Sequence, residues 1–154
     1  MEFTDCPDVR IAEEEDYPHI MDLTRLAHGE VGVYPYSEEK VSHIVLKHFY
    51  KTGGLVGVIG DKGHPLKGYI LMVIDTPWYS DEFILNELNM FVVPEHRRSN
   101  YAKQLLSFSK QASNALNLSL SIGVLSNERT AAKVRLYQRQ FNVGGTFFIH
   151  QPQS

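Results

Sequence analysis

The stretch from Asn86 to Leu106 constrains this chain more than any other. It starts as an apolar run with the length and flanks of a strand, stops at Pro94, which cannot extend a ladder, and resumes at about Ser99 with helical spacing. Between strand and helix lie Arg97 and Arg98. A helix N-terminus offers unpaired backbone N–H groups and a partial positive charge, so two guanidiniums beside it make an anion site, phosphate above all. The same residues also suit a plain helix start with a solvated basic pair, and on their own they leave both readings open.

The flanking segments fall into short elements. Val9–Ala12 alternates as a first strand, and a helix is expected from about Tyr17 to Gly29, with Pro18 in its first turn and Ile20, Leu23, Leu26 and Ala27 on one face. Ser37 is a good N-cap for a second helix to about Lys51, with Glu38 and Glu39 at its positive end. From Leu55 the period becomes that of a sheet: Leu55–Ile59 and Gly68–Ile74 flank turn chemistry and predict an antiparallel hairpin, followed by a strand over Glu82–Val93. Trp78 and Tyr79, in the turn between, fit either a substrate cleft or packing on the sheet edge. Beyond the arginines, Tyr101, Leu105, Phe108 and Ala112 predict a helix to about Leu116. Leu118–Leu125 reads as a strand, Ser126–Asn127 as the cap of a helix to about Gln140, and Thr146–His150 as a closing strand. Antiparallel strands first and a strand-helix-strand unit later predict an α+β fold: a mixed, mostly antiparallel sheet with helices on both faces, in the order β-α-α-β-β-β-α-β-α-β.

With 154 residues and no linker or repeat, residues 1–154 are expected to form a single domain, which buries roughly 70% of the unfolded surface without disulfides or metal. A net charge of −3 argues against nucleic-acid binding through phosphate neutralisation. Cys6 is the only cysteine, which favours a reducing compartment. The first residues lack the pattern of a signal peptide, and no apolar run approaches the ~20 residues that span a bilayer, so a cytoplasmic protein without membrane contact is expected. The seven histidines are scattered, with no His-x-x-x-His pair and no cysteine cluster, so no metal site is expected.

Val-Val-Pro-Glu-His-Arg-Arg-Ser-Asn-Tyr-Ala, followed by Lys-Gln-Leu-Leu, resembles the acetyl-coenzyme A signature of the GNAT superfamily of N-acetyltransferases, whose loop reads Arg/Gln-x-x-Gly-x-Gly/Ala. Arg97 matches the first position and Ala102 the last; Asn100 replaces the first glycine, as a residue that tolerates a left-handed backbone. A second match is an Asn early in the last helix, here Asn127, followed by Leu136-Tyr137 and a Gly-Phe compressed to Phe141. The small size, the Leu88–Arg98 run and the Gly-Gly-Thr-Phe-Phe ending also look like GNAT proteins of phages or prophages.

The resemblance implies an N-acetyltransferase that moves an acetyl group from acetyl-CoA, as co-substrate, to a primary amine of a small molecule or protein by direct attack. An acidic pocket would suit a polyamine or aminoglycoside acceptor, and a shallow groove a peptide. The resemblance implies that Arg97, Arg98, Ser99, Asn100, Tyr101 and Ala102 cradle the pyrophosphate, that a bulge near Phe91, Val92 and Val93 exposes amides to the pantetheine arm, and that Asn127 contacts the cofactor. The acceptor would enter past the Gly29–Tyr36 loop and the Thr76–Asp81 turn. A lysine-like amine at pKa ~10.4 must lose a proton before attack, at a cost of roughly 4.6 kcal/mol near neutrality, and a glutamate in the central strand, here Glu87, is the implied base. Tyr137 is the implied acid for the departing thiolate. The changed loop glycine and the shortened C-terminal element also allow a GNAT-fold binding or regulatory protein that no longer turns over. The fold further permits a homodimer through its last strands.

Overall fold

A computed structural model describes residues 3–124 and 130–153. Five strands form one sheet in sequence order: β1 (Val9–Ile11), β2 (Gly54–Ile59), β3 (Gly68–Asp75), β4 (Ile84–Val92) and β5 (Ser119–Ser121). The first four are antiparallel to their neighbours, and β5 runs parallel to β4. Helices α1 (Tyr17–Val31) and α2 (Glu38–Phe49) cover one face, α3 (Tyr101–Leu116) covers the other, and α4 (Thr130–Gln138) follows β5. The expected α+β class and the β2–β3 hairpin are both present.

Alternation in the strands explains the two cores. Along β3, Tyr69 and Leu71 join Ile20, Leu23, Ala27 and Val45 under α1 and α2, whereas Ile70 and Met72 join Leu105, Phe108 and Ala112 under α3. Helix α3 lies close to the sheet because β2 carries Gly57; a Cβ there would sit 2.6 Å from the Phe108 ring. The caps follow local chemistry. The Ser37 Oγ accepts from the Lys40 N–H at 3.3 Å, Pro18 occupies the first turn of α1, and α3 ends on Asn117 in the left-handed region with φ 54°. Before α1, a short 3-10 turn (Glu14–Asp16) fixes a fully buried Asp16: Arg10 donates to its two oxygens at 2.6 and 2.9 Å, and the N–H groups of Glu13 and Gly63 donate at 2.8 and 3.2 Å.

Several elements differ from their sequence expectation. Helix α1 continues through Gly29 to Val31 and turns Leu26 outward, because Met21 and Thr24 take inward positions beside Ile20 and Leu23. Helix α3 starts at Tyr101 rather than Ser99, since Pro94–His96 forms its own 3-10 turn. Strand β5 is confined to three residues. The expected closing strand over Thr146–His150 does not form; Phe147 and Phe148 are exposed, and β-branched and aromatic content makes no ladder without a strand to pair with. The expected Ser126–Asn127 cap lies outside the described residues.

Candidate active site

The site is organised by one extra residue in β4. The β3–β4 ladder pairs Leu71 with Asn89 and Met72 with Glu87, which leaves Leu88 unopposed as a β-bulge. Cross-strand partners share a face, so Glu87 lies with Met72 and Leu85 on the α3 side, while Asn89 lies with Leu71 on the α1–α2 side. A regular strand would have put Glu87 and Asn89 on the same face. The bulge falls at Leu88, not at the expected Phe91–Val93, because Phe91 pairs regularly with Tyr69 and Val92 with Gly68, and the Val93 N–H donates to the Lys67 carbonyl at 2.9 Å.

A second irregularity opens the sheet. Strand β5 pairs with β4 only at Ile84, Leu85 and Asn86, so from Glu87 to Val92 the β5-facing edge of β4 has no strand partner among the described residues. Backbone groups alternate sides along a strand, so this edge presents N–H and C=O groups that an extended ligand could meet, apart from the Val92 carbonyl, which accepts from Arg97 Nε at 3.0 Å.

Three cavities follow β4. In the middle, one of about 180 Å³ is lined by Glu87, Leu88, Met90, Gly123, Lys133 and Tyr137, among others. On the α3 side, one of about 260 Å³ runs from Met90, Phe91 and Val92 past Arg97, Ser99, Ala102 and Lys103 to Lys133. On the α1–α2 side, one of about 300 Å³ lies beneath the Gly32–Tyr36 loop. Met90 and Lys133 line both of the first two; Val31, Leu88 and Asn89 line both the first and the third. The Glu87 cavity therefore sits between the other two.

Burial pushes the Glu87 carboxyl up to about 7, against the opposing effects of the Gly123 N–H, which donates to Glu87 Oε2 at 3.3 Å, and of the Lys133 charge. Burial also raises the Tyr137 phenol well above its ordinary range, and the negative charge on Glu87 adds to the shift. The Tyr137 hydroxyl points to Met90 Sδ at 3.9 Å. Lys133 and Tyr137 are four residues apart on α4 and so share one helix face. Lys133 had a sequence signal, this spacing from Tyr137, whereas Leu88 and Asn89 had none.

The basic loop differs in detail from its expectation. Arg97 does line the 260 Å³ cavity, but its guanidinium turns to α1: Nη2 lies 2.8 and 2.6 Å from the two Glu30 oxygens, Nε donates to the Val92 carbonyl at 3.0 Å, and the group stands 5.3 Å from the centre of the Phe91 ring. Arg98 is exposed. Ser99 Oγ donates to the His96 carbonyl at 2.5 Å and accepts from the Tyr101 N–H at 3.2 Å. Asn100 caps α3 with φ −91° and ψ 17°, not in the left-handed region, and its Oδ1 accepts from Gln104 Nε2 at 2.8 Å. A residue other than glycine therefore fits there without strain. Tyr101 packs against the α3-side core, and Ala102 and Lys103 occupy the first turn of α3, where a helix leaves its N–H groups without intrahelical acceptors. Asn127 lies outside the described residues. Trp78 and Tyr79 are 95% and 75% exposed and pack on each other. Among the described residues, no group of three His, Cys, Asp or Glu side chains could hold a metal ion, and no helix is long and apolar enough to cross a membrane.

Comparison with known proteins agrees with this arrangement. A search of curated proteins finds no match. Among solved structures, an integron cassette protein from the mobile metagenome of Cole Harbour Salt Marsh is 18% identical over 97% of this chain and 92% of its own, with a TM-score of 0.71. The aminoglycoside N-acetyltransferase AAC(6')-Iy, solved with a bisubstrate analogue of CoA, is 15% identical over 96% and 98%, with a TM-score of 0.67. A ribosomal-protein-alanine N-acetyltransferase from Brucella melitensis biovar Abortus 2308 is 11% identical over 94% and 97%, with a TM-score of 0.67. At these identities the likeness is one of fold. The family model described as acetyltransferase (GNAT) domain matches residues 44–140, more than half of the chain, and includes β4, the basic loop, α3 and α4. This chain belongs to the GNAT acetyltransferase domain family.

Proposed function

We propose that this enzyme transfers an acetyl group from acetyl-CoA to a primary amine by direct attack, with Glu87 as general base and Tyr137 as general acid. One observation carries this reading: Glu87 and Tyr137, 50 positions apart in sequence, line one cavity that joins the α3-side cleft to the α1–α2-side cavity.

The α3-side cleft fits acetyl-CoA. It offers the unpaired edge of β4 for an extended arm, the first turn of α3 at Ala102 and Lys103 for phosphate, and cationic side chains at Lys103 and Lys133, with Arg98 close by in sequence. Arg97, paired with Glu30, supports the loop rather than offering a free guanidinium. The bound thioester would supply the activated acetyl carbonyl. On the other side of β4, an amine in the α1–α2-side cavity reaches Glu87 through the opening at Val31, Leu88 and Asn89.

Glu87 takes the amine proton. A base with a pKa near 7 combines ionisation at neutral pH with useful proton affinity, as general-base catalysis requires. Tyr137 keeps its proton until it is needed, because burial and the Glu87 charge both raise its pKa. Once Glu87 is protonated, the smaller of these causes is gone and only burial still raises the phenol, which makes Tyr137 a better proton donor to the departing sulfur than before. The buried free thiol of Cys6 supports a reducing compartment such as the cytoplasm.

The test is calorimetric titration with acetyl-CoA, followed by thiol release with amine acceptors. Micromolar binding and amine-dependent release are expected; a native protein that neither binds acetyl-CoA nor releases thiol refutes the reading.

A further inference from the structure

The α1–α2-side cavity differs from what a polycationic acceptor would need. Of the described residues that line its about 300 Å³, none is Asp or Glu, and its walls come from aliphatic side chains such as Ala27, Val41, Ile44 and Leu71 with the aromatic Tyr34 and Tyr36. Several of its polar atoms are already engaged. Thr24 Oγ1 donates to the Met21 carbonyl at 2.7 Å, so the Tyr36 hydroxyl 2.8 Å away is the donor to Thr24; His28 Nε2 is 2.6 Å from the Tyr34 carbonyl; and the Tyr69 hydroxyl donates to Asn89 Oδ1. On the flanking helices Asp22 and Glu38 pair with Arg25 and Glu30 with Arg97, while Glu39, in the first turn of α2, is exposed and not among the described residues that line the cavity. A second ammonium on the acceptor would lose its water here and gain no counter-ion, which is heavily penalised.

From this lining, and resting on the acetyltransferase reading above, we infer that the acceptor is a small primary monoamine with an aromatic or branched aliphatic body. The body fills the cavity between α1, α2 and the Gly32–Tyr36 loop, and the single amine passes between Val31 and Leu88 to Glu87, the only carboxylate among the described residues that line either cavity. Affinity comes from apolar area, and specificity from the absence of any partner for further charge. An aminoglycoside or a polyamine is therefore a poor substrate, although a structural neighbour carries the former name.

The experiment is thiol release at saturating acetyl-CoA with phenethylamine and isoamylamine against spermidine and neamine, alongside acetyl-CoA binding by calorimetry. The apolar monoamines are expected to have kcat/KM at least about tenfold higher, the scale of apolar-pocket discrimination. Ile44→Trp, which fills the cavity, raises KM for phenethylamine about tenfold while the affinity for acetyl-CoA holds. Val33→Glu, on the exposed loop where folding is not at stake, supplies the missing carboxylate and moves preference toward spermidine. Equal or better turnover of spermidine or neamine by the native protein overturns the inference but leaves the transferase reading intact. Acetyl-CoA binding with no apolar amine consumed also overturns it. Failure to bind acetyl-CoA at all removes the transferase reading itself.

Discussion

Glu87 and Asn89 stand two residues apart on one strand and line opposite sides of the sheet, because Leu88 bulges between them. The bulge also gives Leu88 a place in the wall of both cavities. Deleting Leu88 turns the strand regular but keeps the alternation on either side of it, since Glu87 and Asn89 then become neighbours on opposite faces. The fold is expected to survive, with a far-UV circular dichroism spectrum like that of the native chain. Thiol release is expected to fall by about 100-fold, because losing the bend and extra twist of the bulge re-aims Glu87 within its face, and a shift of about 1 Å in a catalytic group costs about that much.

The base sets a pH dependence with a defined sign. Glu87 acts only when ionised, so kcat/KM rises with pH through a midpoint near 7. Lys133 lowers the Glu87 pKa, so Lys133→Met removes a stabilising charge and shifts that midpoint to higher pH. Glu87→Gln abolishes the limb and lowers kcat by about 10²- to 10⁴-fold. A pH–rate profile of the three proteins checks all of this; a midpoint that Lys133→Met leaves in place argues against Glu87 as the base.

Tyr137→Phe keeps the ring in place and removes only the hydroxyl. Calorimetry is expected to find acetyl-CoA affinity within about twofold of native, while kcat falls by about 10²-fold for loss of a general acid. An unchanged kcat would assign the hydroxyl to packing against Met90 alone.

Arg97 and Arg98 are adjacent but do different work. Arg97→Ala leaves Glu30 and the Val92 carbonyl without their donor and is expected to cost about 1–3 kcal/mol of stability. Arg98→Ala, at an exposed position, is expected to change stability by less than about 0.5 kcal/mol and to weaken acetyl-CoA binding severalfold. Urea unfolding of each variant, beside calorimetry, separates the two effects.

Asp16 governs acid stability. Burial alone would raise its pKa, but the Arg10 guanidinium and the N–H groups of Glu13 and Gly63 together hold it below the ordinary carboxylate range. Its folded-state pKa is thus depressed; the stability it contributes is fully present above the ordinary carboxylate pKa of ~3.9 and is lost as pH falls through the lower folded value. Asp16→Asn, which leaves the Arg10 charge without its partner, is expected to destabilise by about 3–5 kcal/mol at pH 7. The difference from native should shrink below pH 4 in thermal melts.

The local chemistry of the chain determined most of its elements. Ser37 caps α2, the alternating run of β3 divides its side chains between two cores, and Pro94 ends β4 before α3, because each depends on neighbours within a few residues. The resemblance carried by Arg97–Ala102 and Leu136–Tyr137 likewise led to the family, and Glu87 and Tyr137 to a shared cavity. Only the tertiary structure decided the rest. Whether Thr146–His150 forms a strand depends on a partner that local sequence does not specify. Whether Arg97 faces a ligand or Glu30 depends on α1, 67 positions earlier. The place of the bulge, and with it the sides taken by Glu87 and Asn89, follows from how β3 pairs with β4, since one unpaired residue reverses the alternation of all that follow.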